Sequence, residues 1–239
     1  MAEPERWWIV GASEGLGRAL ARALDAEGAA LALSARDAAR LQELAGELRD
    51  ARALPVDVTD AAAVARAAEQ AGRVDGLVYS VGAYQPMSAN DWETGVAVAM
   101  AEANFLGALR VVGAVLPGML ARDAGRIVLI GSLAGFRGLP GAIGYGASKA
   151  ALMHLGENLR ADLRGTGVRV QLVNPGFIDT RLTRQNGFRM PQLMTPERAA
   201  ARTLRAIRSG RFSTSFPAPF STLFQLGRHL PLRLFQALF

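Results

Sequence analysis

The 239-residue chain has no cysteine, which removes disulfide scaffolds, thiolate-ligated zinc, iron–sulfur clusters and cysteine nucleophiles together. Histidine is nearly missing too: only His154 and His229 occur, too few for a His-rich metal site, so no metal is expected. No run approaches the ~18 uninterrupted apolar residues of a membrane span. The opening Met-Ala-Glu-Pro-Glu-Arg also lacks the basic-then-apolar layout of a signal peptide. These absences lead to the expectation of a cytoplasmic protein. Lysine is the scarcest charge: the 27 basic residues are all arginine except Lys149. An ammonium is compact and its pKa responds to burial, so position 149 stands out as one where a guanidinium is not equivalent. The net charge is +6, and from Arg181 onward ten arginines face a single acid, Glu197. That stretch has no helix-turn-helix, zinc-finger or RNP pattern, so no nucleic-acid partner is expected.

Short apolar runs rich in β-formers alternate with segments of helical period. Strands are expected at Trp7–Val10, Ala30–Ser34, Ala53–Val56, Gly76–Val81, Arg126–Ile130, Val168–Val173 and Phe212–Phe216. Helices are expected near Leu16–Glu27, Ala38–Leu48 and Ala61–Ala71, as a long span within Asp91–Ala121, and at Gly146–Arg164 and Pro196–Ser209. Thr195 is the expected cap of the last of these, with Pro196 in its first turn. Continuous apolar strands alternating with helices predict a doubly wound α/β fold, a seven-stranded, mostly parallel sheet with helices on both faces. With no linker and no repeat, residues 1–216 read as one Rossmann domain, and 217–239 as a short apolar helical extension of it.

The first strand runs straight into Gly11-Ala-Ser13-Glu14-Gly15-Leu16-Gly17 and then a helix. A tight exit at Gly11, close backbone approach at Gly15, close helix–sheet packing at Gly17 and the open N–H groups of a helix start together suit a pyrophosphate. The second strand ends Ser34-Ala-Arg36-Asp37, where dinucleotide folds place an acid for a ribose 2′-hydroxyl or an arginine for a 2′-phosphate. Arg36 is the first residue there with reach and charge, which favours NADP(H) over NAD(H). The alternative is a solvated loop arginine partnered by Asp37. Asp57-Val58 ends the third strand near the expected adenine edge, although Asp57 would serve equally as a helix cap.

Ser132 follows the fifth strand, and thirteen residues later comes Tyr145-Gly-Ala-Ser-Lys149. On one helix this i,i+4 spacing puts phenol and ammonium on one face. A nearby ammonium favours phenolate, which would make the tyrosine a usable acid/base at cellular pH.

This combination resembles the short-chain dehydrogenase/reductase superfamily, in its shorter single-domain branch, from about Trp7 to Phe216. The matching motifs are Gly11/Gly15/Gly17, Asp57, Asn104, Ser132, Tyr145-x-x-x-Lys149 and Asn174-Pro175-Gly176-x-x-x-Thr180. The resemblance implies hydride transfer between nicotinamide and a carbonyl or alcohol carbon. It casts Tyr145 as the proton carrier and Ser132 as the group orienting the substrate oxygen. Lys149 would lower the Tyr145 pKa and hold the nicotinamide ribose, and Asn104 would hold a relay water. Pro175, Gly176, Ile178 and Thr180 would line the nicotinamide and its phosphate side, with Gly82 allowing close approach. A small carbonyl or alcohol substrate, apolar in character, and a homodimer or homotetramer are the implied partners. A silent nucleotide-sensing relative is the competing reading, and such a chain is expected to lose the tyrosine or lysine kept here.

Three positions depart from the family pattern. Val10 stands where a threonine usually braces the loop. Tyr79-Ser80-Val81-Gly82 replaces Asn-Asn-Ala-Gly, and Glu14 stands where NADP-preferring members often carry a base. The segment Phe177–Met194 reads as a lid over the substrate. In the tail, six of the ten phenylalanines fall between Phe212 and Phe239 among interleaved leucines. A lid, a subunit interface and a membrane-resting surface compete there. Sparse cations among the apolar residues favour the first two and weigh against membrane contact.

Overall fold

A computed structural model of the chain describes residues 3–238. Met1, Ala2 and Phe239, the outer ends of the expected 1–216 and 217–239 units, lie outside the described residues. Strands β1 (Arg6–Val10), β2 (Ala30–Ser34), β3 (Ala51–Ala53), β4 (Gly76–Tyr79), β5 (Gly125–Ile130), β6 (Val168–Pro175) and β7 (Ser213–Phe216) form one sheet. Its order is β3-β2-β1-β4-β5-β6-β7 and every neighbouring pair is parallel.

The first strand explains the layering. Trp7 and Ile9 join one buried cluster, Trp8 and Val10 the other, so both faces must be covered. Helices α1 (Gly15–Ala26), α2 (Ala38–Glu47) and α7 (Pro196–Ser209) cover the first face with Leu20, Leu24, Leu41, Leu44 and Ile207. On the second, α3 (Ala61–Ala71), α5 (Gly107–Ala121) and α6 (Ile143–Asp162) contribute Val64, Val111, Val115 and Leu152, while α4 (Thr94–Ala101) leads into α5. Helix α7 starts as its sequence predicts: the Thr195 hydroxyl accepts from the Arg198 amide and Pro196 sits in the first turn.

Two expectations are corrected. The third strand is Ala51–Ala53 rather than Ala53–Val56. Leu54 and Val56 still donate to Leu33 and Ala35 beyond it. The long helical span is broken by a π turn, Glu102–Leu106, between α4 and α5. By length and composition Thr94–Ala121 would reach across a membrane. In the fold its stripe Ala108, Val111, Val112, Val115 and Met119 packs on the sheet.

After β7, α8 (Phe220–Gly227) and α9 (Leu232–Gln236) fold back over the segment that follows β5. Phe224 and Phe235 are buried there against Leu133, with Phe136, Leu139 and Phe220 around them. The strand order reverses between β1 and β4, which opens a crevice at their carboxyl ends.

Candidate active site

The glycine loop leaves β1 at that crevice. The Gly11 and Ala12 amides both donate to the Ser34 carbonyl (2.7 and 3.1 Å), so β2 supplies the brace that Val10 cannot. Gly11 takes φ +94°, and a Cβ on Gly17 would lie 2.0 Å from the Gly11 oxygen, so the loop closes only without side chains. Glu14 stands before α1 but gives the helix no side-chain cap, leaving first-turn N–H groups for an anion. Its carboxylate instead binds Arg181 (2.8 Å) and Arg40 (3.1 Å), and the Arg181 hydrogen bonds chiefly hold its pKa below the usual range. Ser13 is half-buried and Leu16 buried beneath the loop. Thr180, on the segment after β6, sits against Gly15: a Cβ there would be 2.8 Å from the Thr180 Cγ2. At Gly82 a Cβ would meet nothing closer than Leu182 at 3.8 Å, so protein packing does not require a glycine.

Beyond β2, Asp37 caps α2 by accepting from the Arg40 amide and pairs with Arg40, not with Arg36. Arg36 is exposed and makes no ion pair among the described residues. Asp57 accepts from the Thr59 amide (2.9 Å) and hydroxyl (2.8 Å), contacts that lower its pKa with help from the Arg36 charge. It does not cap α3; Asp60 does, accepting from the Ala63 amide. Val58 is buried against Gly107.

At the other side of the crevice, α6 carries both Tyr145 and Lys149. Ser132, after β5, is buried near the Tyr145 phenol, where its hydroxyl favours the phenolate, and its Oγ accepts from the Ala134 amide. The Lys149 ammonium lies 6.0 Å from the Tyr145 ring centroid and donates to the carbonyls of Ile130 (2.9 Å) and Val81 (3.1 Å). Burial pulls its pKa down to about 8. Burial also dominates at Tyr145 and raises the phenol pKa, against the smaller opposing influence of the Ser132 hydroxyl. The expected lowering by Lys149 is therefore not present in the protein alone: the phenol rests as a neutral acid.

Asn104 lies at the centre of the π turn and is fully buried. Its Oδ1 accepts from the Ala83 amide (2.7 Å), and its Nδ2 donates to the Ala83 carbonyl and to the Ser148 hydroxyl (both 2.9 Å). With both amide hydrogens used, this side chain braces the loop after β4 against α6 rather than presenting a donor to water. Pro175 ends β6, the Gly176 amide donates to the Phe216 carbonyl, and Ile178 bridges to Met194. That bridge pins the two ends of Phe177–Met194 together.

Five residues of the site carry roles that pattern reading passed over. Ser34 points inward, accepting from the Trp8 indole (2.9 Å) and donating to the Leu54 carbonyl (2.7 Å). Tyr79 replaces the family amide and donates to the Ala103 carbonyl within the π turn, so it braces that turn beside Asn104. Gly107 is obligatory because a Cβ would strike the Tyr79 hydroxyl at 2.5 Å. Tyr84 packs edge-on against Tyr145, with ring centroids 5.1 Å apart, and donates to Asn186 of the lid (2.8 Å). Its position two residues past Gly82 was the available signal. Phe177 meets Phe188 and stacks on Phe220, joining the segment after β6 and the tail in one aromatic wall next to Leu133. A separate 260 Å³ cavity, lined by Arg6, Arg52 and Arg73, lies at the strands' amino ends, away from this chemistry.

Residues 6–189 match the family model for short chain dehydrogenase. The chain is 38% identical to an uncharacterized oxidoreductase of Myxococcus xanthus, over 96% of this chain and 94% of that one. It is 40% identical to sulfoacetaldehyde reductase 2 of Chromohalobacter salexigens, over 73% of each. A short-chain dehydrogenase from Sphingobium yanoikuyae, solved with NADPH, superposes at a TM-score of 0.85 with 28% identity, covering 93% of this chain and 91% of that one. With its glycine loop and its Ser132, Tyr145 and Lys149 in one crevice, the chain belongs to the short-chain dehydrogenase/reductase family of oxidoreductases.

Proposed function

We propose that this protein reduces a small apolar carbonyl, or oxidises the matching secondary alcohol, with NADP(H) preferred to NAD(H). The observation that carries the reading is a Tyr145 phenol with the Ser132 hydroxyl near it and a buried Lys149 ammonium 6.0 Å from its ring, at the same crevice as an uncapped helix start. When bound, the nicotinamide supplies or accepts the hydride. Tyr145, neutral at rest, gives its proton to the substrate oxygen as that oxygen gains charge, and takes one back in the oxidative direction. Ser132 holds the same oxygen by a second hydrogen bond. The Lys149 ammonium stabilises the phenolate left behind and offers a donor to the ribose.

The residues toward the cofactor are those of the glycine loop, Gly11 through Gly17, with Arg36 at the 2′ position and Asp57 and Val58 at the adenine edge. Gly82, Pro175, Gly176, Ile178 and Thr180 flank the nicotinamide side. Preference for the phosphorylated cofactor is supported by Arg36, which is exposed and makes no ion pair among the described residues, and by the NADPH held in the Sphingobium yanoikuyae relative. Two lid arginines are already spent on acids, Arg181 on Glu14 and Arg184 on Asp179. With Leu133, Phe177 and Phe220 as neighbours, that supports an apolar substrate over an anionic one. Exposed Val98, Leu109 and Leu120 on α4 and α5 support assembly as a homodimer or homotetramer. A cytoplasmic setting fits the need for a reduced nicotinamide.

The test is loss of NADPH absorbance against a panel of ketones, aldehydes and 3-oxoacyl thioesters. Tyr145→Phe is expected to cut kcat about 10³-fold while NADPH still binds. Turnover surviving that change moves the acid/base elsewhere. NADPH binding without turnover across the panel favours a cofactor-sensing role.

A further inference from the structure

Helices α8 and α9 have two faces of different composition. The inner one seats Phe224 and Phe235 on Leu133. The outer one leaves Leu223, Leu226, Leu230, Leu232, Leu234 and Leu238 exposed, from 38% at Leu223 to 66% at Leu226. These are six of the twelve large exposed hydrophobic side chains among the described residues, gathered within one short segment, so the patch is not scattered surface apolarity. The patch is also held in place. Arg137 donates to the carbonyls of Arg228 (2.6 Å) and Leu230 (2.7 Å), clamping the corner between the helices. No ordering of a loose tail is required before it can dock.

Charge identifies the occupant. Arg228, His229 and Arg233 stand among the leucines, and no acid follows Glu197 in the sequence. The segments under and beside the tail, 124–156 and 180–196, contain no acid either. A second copy meeting this face across a twofold axis would set Arg228 and Arg233 against arginines with no carboxylate in answer. An anionic bilayer answers both features, with headgroup charge for the arginines and hydrocarbon for the leucines.

We propose that the outer face of α8–α9 docks this protein on an anionic phospholipid surface. Read linearly, phenylalanines and leucines merge into one apolar tail with sparse cations, which is why the sequence alone weighs against membrane contact. The fold turns Phe224 and Phe235 in and leaves the six leucines exposed together with Arg228 and Arg233.

The test is co-sedimentation of the full chain with phosphatidylcholine vesicles, with and without phosphatidylglycerol, at low and high salt. The wild type is expected to pellet with the anionic vesicles at low salt, and at least tenfold less with neutral ones. L226Q/L234Q and R228E/R233E are each expected to lose that binding about tenfold while keeping the wild-type melting temperature and NADPH affinity. All four positions are exposed, so folding is not at stake. Absence of binding to anionic vesicles overturns the proposal, as does binding that the variants retain. A wild-type oligomer that L226Q/L234Q dissociates without lipid assigns the face to a second copy and also overturns it. Sedimentation needs no turnover, so the reductase reading and this surface fail separately.

Discussion

At the carboxyl end of β1 the working groups are main-chain atoms: amides of a loop that tolerates no Cβ at Gly17, held by a carbonyl of Ser34. Across the crevice, at the end of β5, they are side chains, and it is main-chain carbonyls of Ile130 and Val81 that hold the working ammonium. The charged groups differ in the same sense. Around the glycine loop Glu14, Arg40 and Arg181 form exposed ion pairs, each worth little in water. Around Tyr145 one buried cation stands alone in low dielectric, where its charge acts strongly. The glycine loop is therefore expected to be intolerant of added atoms and forgiving of lost ion pairs, whereas the other side of the crevice depends on single buried groups.

The largest effect expected to break this contrast is Tyr145→Phe, described above, which deletes a single oxygen. Next is Gly17→Ala, a single added methyl whose carbon would lie 2.0 Å from the Gly11 oxygen. Overpacking of this kind costs about 2–3 kcal/mol, so thermal unfolding should fall by roughly 5–10 °C. Gly82→Ala is the matched control, with its new Cβ 3.8 Å from Leu182. It should leave the melting temperature unchanged and weaken NADPH binding measured by fluorescence titration.

Lys149 sharpens the contrast through pH. Its ammonium loses its proton as pH rises through about 8, so kcat/KM for reduction should fall toward tenfold per unit above that point. Stability should move the other way. The unfolded lysine keeps its proton toward 10.5, so between about 8 and 10.5 the unfolded state binds more protons and stability gains with pH from this group. Paired pH–rate and pH–melting profiles check the sign, and Lys149→Met should flatten the stability rise.

Arg36→Ala is the smaller test of the nucleotide half. Loss of an exposed guanidinium should weaken NADPH about tenfold and NADH hardly at all. Equal losses would remove Arg36 from the phosphate. Smallest is Glu14→Gln, which releases two surface ion pairs and should shift the melting temperature by less than about 1 °C.

Much of this was legible in the sequence for reasons of local physics. The strand-then-glycine-loop-then-helix order, the i,i+4 placement of Tyr145 and Lys149 and the Thr195–Pro196 start are short-range patterns, and each stands as read. The bounds of β3 differ from the expected Ala53–Val56, since Leu54 and Val56 bond to β2 as a strand would yet lie beyond its end. The π turn was invisible, because Asn104 is set by a phenol 25 residues earlier in the chain, through Tyr79 and the Ala103 carbonyl. So was Tyr84, whose meeting with Tyr145 and Asn186 joins three distant segments.

By itself the sequence determined the alternation of strand and helix, the glycine loop and the spacing of phenol and ammonium, since each depends on residues within a few positions of one another. Only the tertiary structure decided that burial raises the Tyr145 pKa, that Asn104 spends both amide hydrogens on Ala83 and Ser148, and that the tail turns Phe224 and Phe235 inward and leaves its leucines exposed. Desolvation, hydrogen-bond saturation and the facing of a helix are set by what the rest of the chain packs against them, and no local pattern contains that.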